Sequence, residues 1–90
     1  MENKIEEIML ILQEECAEVS QAISKCFRFG RDNHKPGKSK TNLQHLEEEL
    51  GDLLAMIALL EAAGVVTESG LHSAFNNKIQ KLKQWSQIYE

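Results

Sequence analysis

The sequence predicts an all-α protein: an antiparallel bundle of three long helices, which oligomerisation completes into a four-helix type of bundle. Through three segments, apolar residues recur at every third or fourth position, as they do on one face of a helix. The chain has only five aromatic residues, which suits a core of Leu, Ile and Ala, and no segment shows the alternation of a strand. Residues 1–90 are expected to form a single domain.

Asn3 is suited to cap the first helix, which is predicted to run to about Phe29. Its apolar stripe consists of Ile5, Ile8, Leu12, Cys16, Val19, Ile23 and Cys26. Gly30 is suited to end this helix, because glycine readily adopts the left-handed conformation that follows helix C-termini. The two cysteines lie ten positions apart, about 15 Å along the helix axis. They are therefore predicted to be buried free thiols rather than a disulfide.

Residues 31–40 are predicted to form a surface loop. This segment contains the only proline and no large apolar residue. Six of the ten Lys and Arg residues of the chain lie between positions 25 and 40. A flexible, solvated connector and a binding element both fit this composition, and the sequence leaves both open.

The second helix is expected to begin at Thr41 or Asn42, with Gln44 completing a capping box. Beyond Asp52 it is apolar on almost all sides through residues 53–60. A chain of this length buries only about 60–65% of its unfolded surface, so it has little of its own to cover such a helix. We therefore expect a homo-oligomer, either a tetramer built as a dimer of dimers or a dimer.

The third helix is expected to follow Gly64, with Thr67 as its N-cap. No apolar run approaches ~18 residues, and no signal-peptide pattern is present. A cytoplasmic protein with no membrane contact is therefore expected. The net charge is −4 and the cations are concentrated locally, which favours a small anionic ligand over nucleic acid.

Two acidic clusters lie beside the most apolar segments of the first two helices. One consists of Glu14, Glu15 and Glu18, and the other of Glu49 and Asp52. Residues three or four apart are neighbours on a helix, so antiparallel packing would bring both clusters into one small volume. Crowded carboxylates need a compensating cation, and oxygen ligands suit Mg²⁺ or Mn²⁺. A merely solvated acidic face is the alternative.

Two cations continue the face of the first helix that carries the acids. Lys25 lies seven positions after Glu18, which places the two residues within about 20° of each other around the helix. Arg28 continues in the same direction. A metal ion at the acids with Lys25 and Arg28 beyond it would suit a polyphosphate, which these cations bind through its oxygens.

The motif Glu-Glu-x-x-Glu at residues 14–18 and the motif Glu-x-x-Asp at residues 49–52 lie in the segments that also contain AISKCFRFG and ELGDLLAMIALL. In these features the chain resembles the MazG-like all-α nucleoside triphosphate pyrophosphatases in their small single-domain form. The resemblance covers nearly the whole chain. The 30 residues between Glu18 and Glu49 are at or slightly beyond the usual spacing of the family.

The resemblance implies hydrolysis of the α–β phosphoanhydride of a (deoxy)nucleoside triphosphate, giving the monophosphate and diphosphate. It implies two or more Mg²⁺ or Mn²⁺ ions per site, with metal ligands at Glu15, Glu18, Glu49 and Asp52. Glu14 would be an auxiliary catalytic carboxylate that orients water or a second ion. Basic residues on the last helix, Lys78 and Lys81, would bind phosphate.

The resemblance also suggests a role in nucleotide-pool control, with a deoxypurine nucleotide such as dGTP as the substrate. The base pocket is expected to include Ile8, Ile11 and Asn77 together with residues of another subunit. A non-catalytic helical oligomerisation or interaction module is the alternative function. A ferritin-like di-iron site is excluded because no Glu-x-x-His pair is present. The three histidines, His34, His45 and His72, are expected to be surface residues.

Overall fold

The computed structural model describes residues 3–90, which form three α-helices and no strand. Helix α1 is Asn3–Phe29, α2 is Asn42–Ala62 and α3 is Glu68–Trp85. The all-α prediction and its three long helices are thus confirmed. In the part of the chain that the structure describes, no helix is both long and apolar enough to span a bilayer.

Helices α1 and α2 both end before a predicted glycine, and α2 begins at its predicted capping box. Gly30 follows α1 with φ of +91°, and Gly64 follows α2 with φ of +78°, both in the left-handed region that glycine tolerates. The Thr41 hydroxyl accepts a hydrogen bond from the backbone N–H of Gln44. The Gln44 side chain accepts one in return from the backbone N–H of Thr41, which completes the capping box.

The loop between α1 and α2 is tied to both helices. Asn42 is buried, and its Nδ2 donates a hydrogen bond to the carbonyl oxygen of Gly30 at 2.9 Å. The backbone N–H of Asn42 donates to the carbonyl oxygen of Asn33 at 2.8 Å, and that of Leu43 donates to Arg31 at 3.0 Å. These bonds hold the C-terminal end of α1 beside the N-terminal end of α2. The loop is therefore anchored rather than a freely flexible connector.

The core of the single chain is small. Helices α1 and α2 pack against each other, whereas α3 has only marginal contact with the rest of the described chain. Among residues 3–90, the buried apolar side chains are Ile8, Ala22 and Leu60. The accessible surface is 7257 Å², against about 5,300 Å² for a compact monomer of this mass. The radius of gyration is 16.1 Å, against about 12 Å for a compact domain of this length.

Large apolar side chains remain exposed on all three helices. Phe27 on α1 is 86% exposed, Leu54 on α2 is 66% exposed and Trp85 on α3 is 80% exposed. Leu59, also in the apolar second half of α2, is 46% exposed. Nothing within residues 3–90 therefore covers the apolar sides of α2 that face away from α1.

The prediction of two buried cysteines is wrong in part. Both thiols are free, but Cys16 is exposed and Cys26 is only half-buried. The physical reason is that α2 alone packs closely on α1 within the described chain. Part of the predicted apolar stripe of α1 is therefore left in solvent, including Ile23, which is 40% exposed.

Candidate metal and phosphate site

Three carboxylates from α1 and α2 form a compact group. Glu15 lies on α1, and Glu49 and Asp52 lie three residues apart on α2. One carboxylate oxygen from each residue lies within 4.8 Å of the other two. The helical spacing places Glu49 and Asp52 on one face of α2, and the packing of α1 against α2 brings Glu15 to that face. These three residues are hereafter the acidic group.

Glu15 carries an enclosed oxygen without a partner. Its Oε2 is buried and has no hydrogen-bond partner among residues 3–90. Desolvation raises the pKa of the Glu15 carboxyl above its ordinary value, and the negative charges of Asp52, Glu49, Glu18 and Glu14 raise it further, in that order of effect. Every neighbouring charge that shifts this pKa is negative. Within the described residues, therefore, no cation offsets the repulsion at Glu15.

A divalent cation fits this arrangement. A buried polar atom without a hydrogen bond is unfavourable and calls for a partner. The acidic group offers three carboxylate oxygens in a small volume, and hard cations such as Mg²⁺ and Mn²⁺ prefer oxygen ligands. A cation there would also neutralise the charges that raise the pKa of Glu15. The acidic group could therefore bind a metal ion.

The other two acids of the α1 cluster lie beside the acidic group rather than within it. Glu14 and Glu18 are exposed, and neither contributes to the set of oxygens within 4.8 Å. Their charges nevertheless reach Glu15, because both raise its pKa. Glu18 lies about one helical turn from Glu15 on the same side of α1. Of the four predicted metal ligands, the structure brings three together and places Glu18 near them.

The two predicted phosphate ligands of α1 lie towards its C-terminal end. Lys25 is half-buried and Arg28 is exposed. Both border a shallow groove on α1 that also includes Ser20 and Gln21. The Arg28 guanidinium lies over the ring of Phe29, 4.9 Å from its centroid. Lys25 additionally faces the loop that follows α1, where it lines a second cleft.

The site residues predicted on α3 stand apart from the acidic group. Asn77, Lys78 and Lys81 are exposed on a helix that has only marginal contact with the rest of the described chain. No ion pair joins Lys78 or Lys81 to a carboxylate within residues 3–90. Of the two residues predicted for the base pocket on α1, Ile8 is buried and Ile11 is half-buried. In one chain, Ile8 offers little surface to a base.

His45 has an environment that was not predicted from the sequence. Its side chain is 39% exposed, so His45 lies at the surface, as predicted, but beside the acidic group. Its Nε2 lies 3.6 Å from Oε1 of Glu49 in the acidic group, a distance that makes an ion pair when the imidazole is protonated. The sequence signal is the spacing of four residues between His45 and Glu49, which makes them neighbours on one helix face.

A basic cleft that was not predicted lies between the end of α1, the loop and the start of α2. Its volume is about 260 Å³. It is lined by Lys25, Lys35, Lys38, Lys40, Thr41, Asn42 and His45. The concentration of cations between positions 25 and 40 is the signal that points to it. We refer to it below as the lysine cleft.

The family comparison agrees with the acidic motifs. A family model of the MazG nucleotide pyrophosphohydrolase domain matches residues 3–86, nearly the whole chain and all three helices. No curated protein and no solved structure matches the chain with statistical significance. Because the family match extends far beyond half of the sequence, the chain belongs to the MazG nucleotide pyrophosphohydrolase domain family.

Proposed function

We propose that the protein is a Mg²⁺- or Mn²⁺-dependent nucleoside triphosphate pyrophosphohydrolase that converts a (d)NTP and water to a (d)NMP and diphosphate. The family match supports a nucleotide pyrophosphohydrolase. The observation that carries metal dependence is the buried Oε2 of Glu15, which has no partner among residues 3–90 and belongs to a group of three convergent carboxylates.

The proposed metal ligands are Glu15, Glu49 and Asp52, with Glu18 joining them from the next turn of α1. These four carboxylates would be enough to bind two or more ions in each site. When bound, a divalent ion supplies Lewis-acid chemistry that makes water a better nucleophile and neutralises charge on the leaving diphosphate. His45 lies beside Glu49, with its Nε2 3.6 Å from Oε1, where a protonated imidazole would attract that carboxylate.

Glu14 is the proposed auxiliary catalytic carboxylate. It is exposed next to Glu15, so it is free to accept a hydrogen bond from water at the edge of the acidic group. In the reaction, the water oxygen forms a bond to the α-phosphorus and its proton passes to the carboxylate. The bond between the α-phosphorus and the oxygen that bridges to the β-phosphorus breaks, and diphosphate leaves.

The proposed phosphate ligands are cations at the edge of the acidic group. Lys25 and Arg28 bind phosphate oxygens from the C-terminal part of α1. Lys78 and Lys81 act from the partner subunit, which agrees with their exposure on a helix that is almost unpacked within one chain. The base lies against Ile11, the accessible edge of Ile8 and Asn77 of the partner subunit, and a deoxypurine such as dGTP is the proposed substrate.

The proposed assembly is a homotetramer, with a dimer as the smaller alternative. Helices α1 and α2 form an antiparallel pair, and helices of a second chain complete a four-helix type of bundle. The large accessible surface and the exposed large apolar residues on all three helices support this proposal, because association would remove that apolar surface from water.

The experiment that tests the reaction is hydrolysis of each canonical NTP and dNTP with Mg²⁺ in ¹⁸O-labelled water, with the products analysed by mass spectrometry. We expect labelled monophosphate and unlabelled diphosphate, because water attacks the α-phosphorus. Label in the diphosphate, or release of inorganic phosphate and a nucleoside diphosphate, would contradict the assigned bond. No turnover of any nucleotide would favour the non-catalytic oligomerisation module.

A further inference from the structure

The lysine cleft concentrates positive charge that the described chain does not neutralise. No carboxylate is among the residues that line it. Lys40 forms an ion pair with Glu48. In contrast, Lys25, Lys35 and Lys38 have no ion-pair partner within residues 3–90. Three lysines without an ion-pair partner in the lining of one concave space favour the binding of an anion.

Backbone hydrogen bonds hold the loop that forms one wall of this cleft. The backbone N–H of Lys38 donates to the carbonyl oxygen of Lys35 at 3.0 Å, which closes a turn between the two lysines. The ring Nδ1 of His34 lies 3.0 Å from the same oxygen, and the N–H of Asn42 ties the loop to α2 through Asn33. Lys35 and Lys38 are therefore carried on an anchored turn, which lowers the entropy lost when they bind a ligand.

The charged donors in the cleft are lysine side chains, and the backbone N–H groups at the N-terminus of α2 are not free. The backbone N–H groups of residues 42–44 already donate within the chain, to Asn33, Arg31 and Thr41. Each ammonium group offers three donors, and its hydrogen bonds to phosphate are strengthened by charge. An anion in the cleft would therefore be held by the lysines.

The cleft borders the acidic group. His45 lines the cleft, and its Nε2 is 3.6 Å from Oε1 of Glu49. Since His45 precedes Glu49 by about one turn, the two positions differ by about 6 Å along the axis of α2. A phosphate chain that begins at the acidic group can therefore extend into the lysine cleft.

From these observations we propose that the lysine cleft is a diphosphate-binding site, which holds the β- and γ-phosphates of the substrate through Lys35 and Lys38. Its place in the reaction rests on the proposed function, whereas its affinity for free diphosphate does not. The anchored loop then has a role in substrate choice, because a nucleoside monophosphate has no phosphate that reaches the cleft. Release of the monophosphate product would not be hindered by these lysines.

The test compares the double variant Lys35→Ala/Lys38→Ala with the control Lys4→Ala/Lys83→Ala, which removes two exposed cations outside the cleft. Metal-free protein in EDTA is titrated calorimetrically with inorganic diphosphate and with a nucleoside monophosphate. We expect the cleft variant to bind diphosphate roughly tenfold more weakly than wild type or the control. Its affinity for the monophosphate should not change, and Lys35→Arg/Lys38→Arg should restore diphosphate binding.

Equal diphosphate affinity in the cleft variant and the control would overturn the proposal. Equal losses for diphosphate and monophosphate would also overturn it, since they would indicate general attraction of anions. If the wild type binds diphosphate through Lys35 and Lys38 but hydrolyses no nucleotide, the site stands and the proposed function fails. If nucleotides are hydrolysed and the cleft variant matches the control in diphosphate affinity and in KM, the proposed diphosphate site is contradicted and the proposed function is not.

Discussion

At the scale of single residues, Glu15 combines enclosure with four acidic neighbours. Desolvation is the largest cause of its raised pKa, followed by the charges of nearby carboxylates. A carboxyl group whose pKa is higher in the folded than in the unfolded state binds more protons when folded. In the metal-free protein, ionisation of Glu15 therefore opposes folding.

The raised pKa of Glu15 predicts how the stability of the metal-free protein depends on pH. Below the ordinary pKa of 4.5, Glu15 should have no effect on how the free energy of unfolding depends on pH. Between 4.5 and the raised pKa, Glu15 should make the free energy of unfolding fall as pH rises. Above the raised pKa, the free energy of unfolding should stay at this lower level. Glu15→Gln should remove this decrease and, in EDTA at neutral pH, should melt at the same temperature as wild type or higher. The measurement is the melting temperature across pH, with the exposed Glu7→Gln as a control. Parallel pH profiles for wild type and Glu15→Gln would contradict the raised pKa.

Helical spacing explains how much of the candidate site could be predicted. The spacing of Glu49 and Asp52 is enough to place both on one face of α2. Spacing alone does not decide whether Glu14, Glu15 or Glu18 meets them, because that depends on how α1 rotates against α2. Packing selects Glu15 and leaves the other two exposed. The assignment of these carboxylates as metal ligands stays a prediction.

At the scale of elements, helix ends were predictable because their signals are local. A cap such as Thr67, whose hydroxyl accepts a hydrogen bond from the N–H of Gly70, depends only on residues within one turn. The packing of α3 depends on residues far away in sequence or in another chain. The apolar periodicity of α3 does not indicate which residues these are. The lysine cleft was missed for a similar reason, since it forms only when the loop is bonded back to both helices.

The interior glycine of α2 provides a test at this scale. A Cβ added to Gly51 would meet no atom within 4 Å in the chain, so Gly51→Ala should raise the free energy of unfolding by about 1 kcal/mol through helix propensity. At Gly70 of α3, an added Cβ would lie 2.9 Å from the Thr67 hydroxyl. Gly70→Ala should therefore bring a smaller gain or a loss. Denaturant unfolding at fixed protein concentration measures both, and destabilisation by Gly51→Ala would place a partner chain against this glycine.

At the scale of the whole molecule, the single chain leaves too much apolar surface in water. Its 7257 Å² of accessible surface exceeds the value for a compact monomer of its mass. Small proteins that cannot complete a core alone commonly do so by association. The helices on which the acidic group lies should therefore gain stability from a partner, and α3 should find its packing there.

Oligomerisation is tested by sedimentation equilibrium at micromolar protein concentration. We expect a tetramer, or at least a dimer, for the wild type. Leu54→Glu should shift the distribution to smaller species, because Leu54 is 66% exposed within the chain and a buried unpaired charge would oppose association. The exposed Gln87→Glu, which adds the same charge outside the helices, should leave the assembly unchanged. A monomeric wild type would contradict the proposed assembly.

The proposed function requires that the acidic group support metal-dependent release of diphosphate from a nucleoside triphosphate. The most direct measurement is the rate of that release at increasing Mg²⁺ for wild type, Asp52→Asn and Glu47→Gln. Glu47 is an exposed carboxylate on α2 outside the acidic group. We predict release that rises with Mg²⁺ and stops in EDTA for wild type and Glu47→Gln, and background release for Asp52→Asn. Equal release by Asp52→Asn, or undiminished wild-type release in EDTA, would contradict the claim.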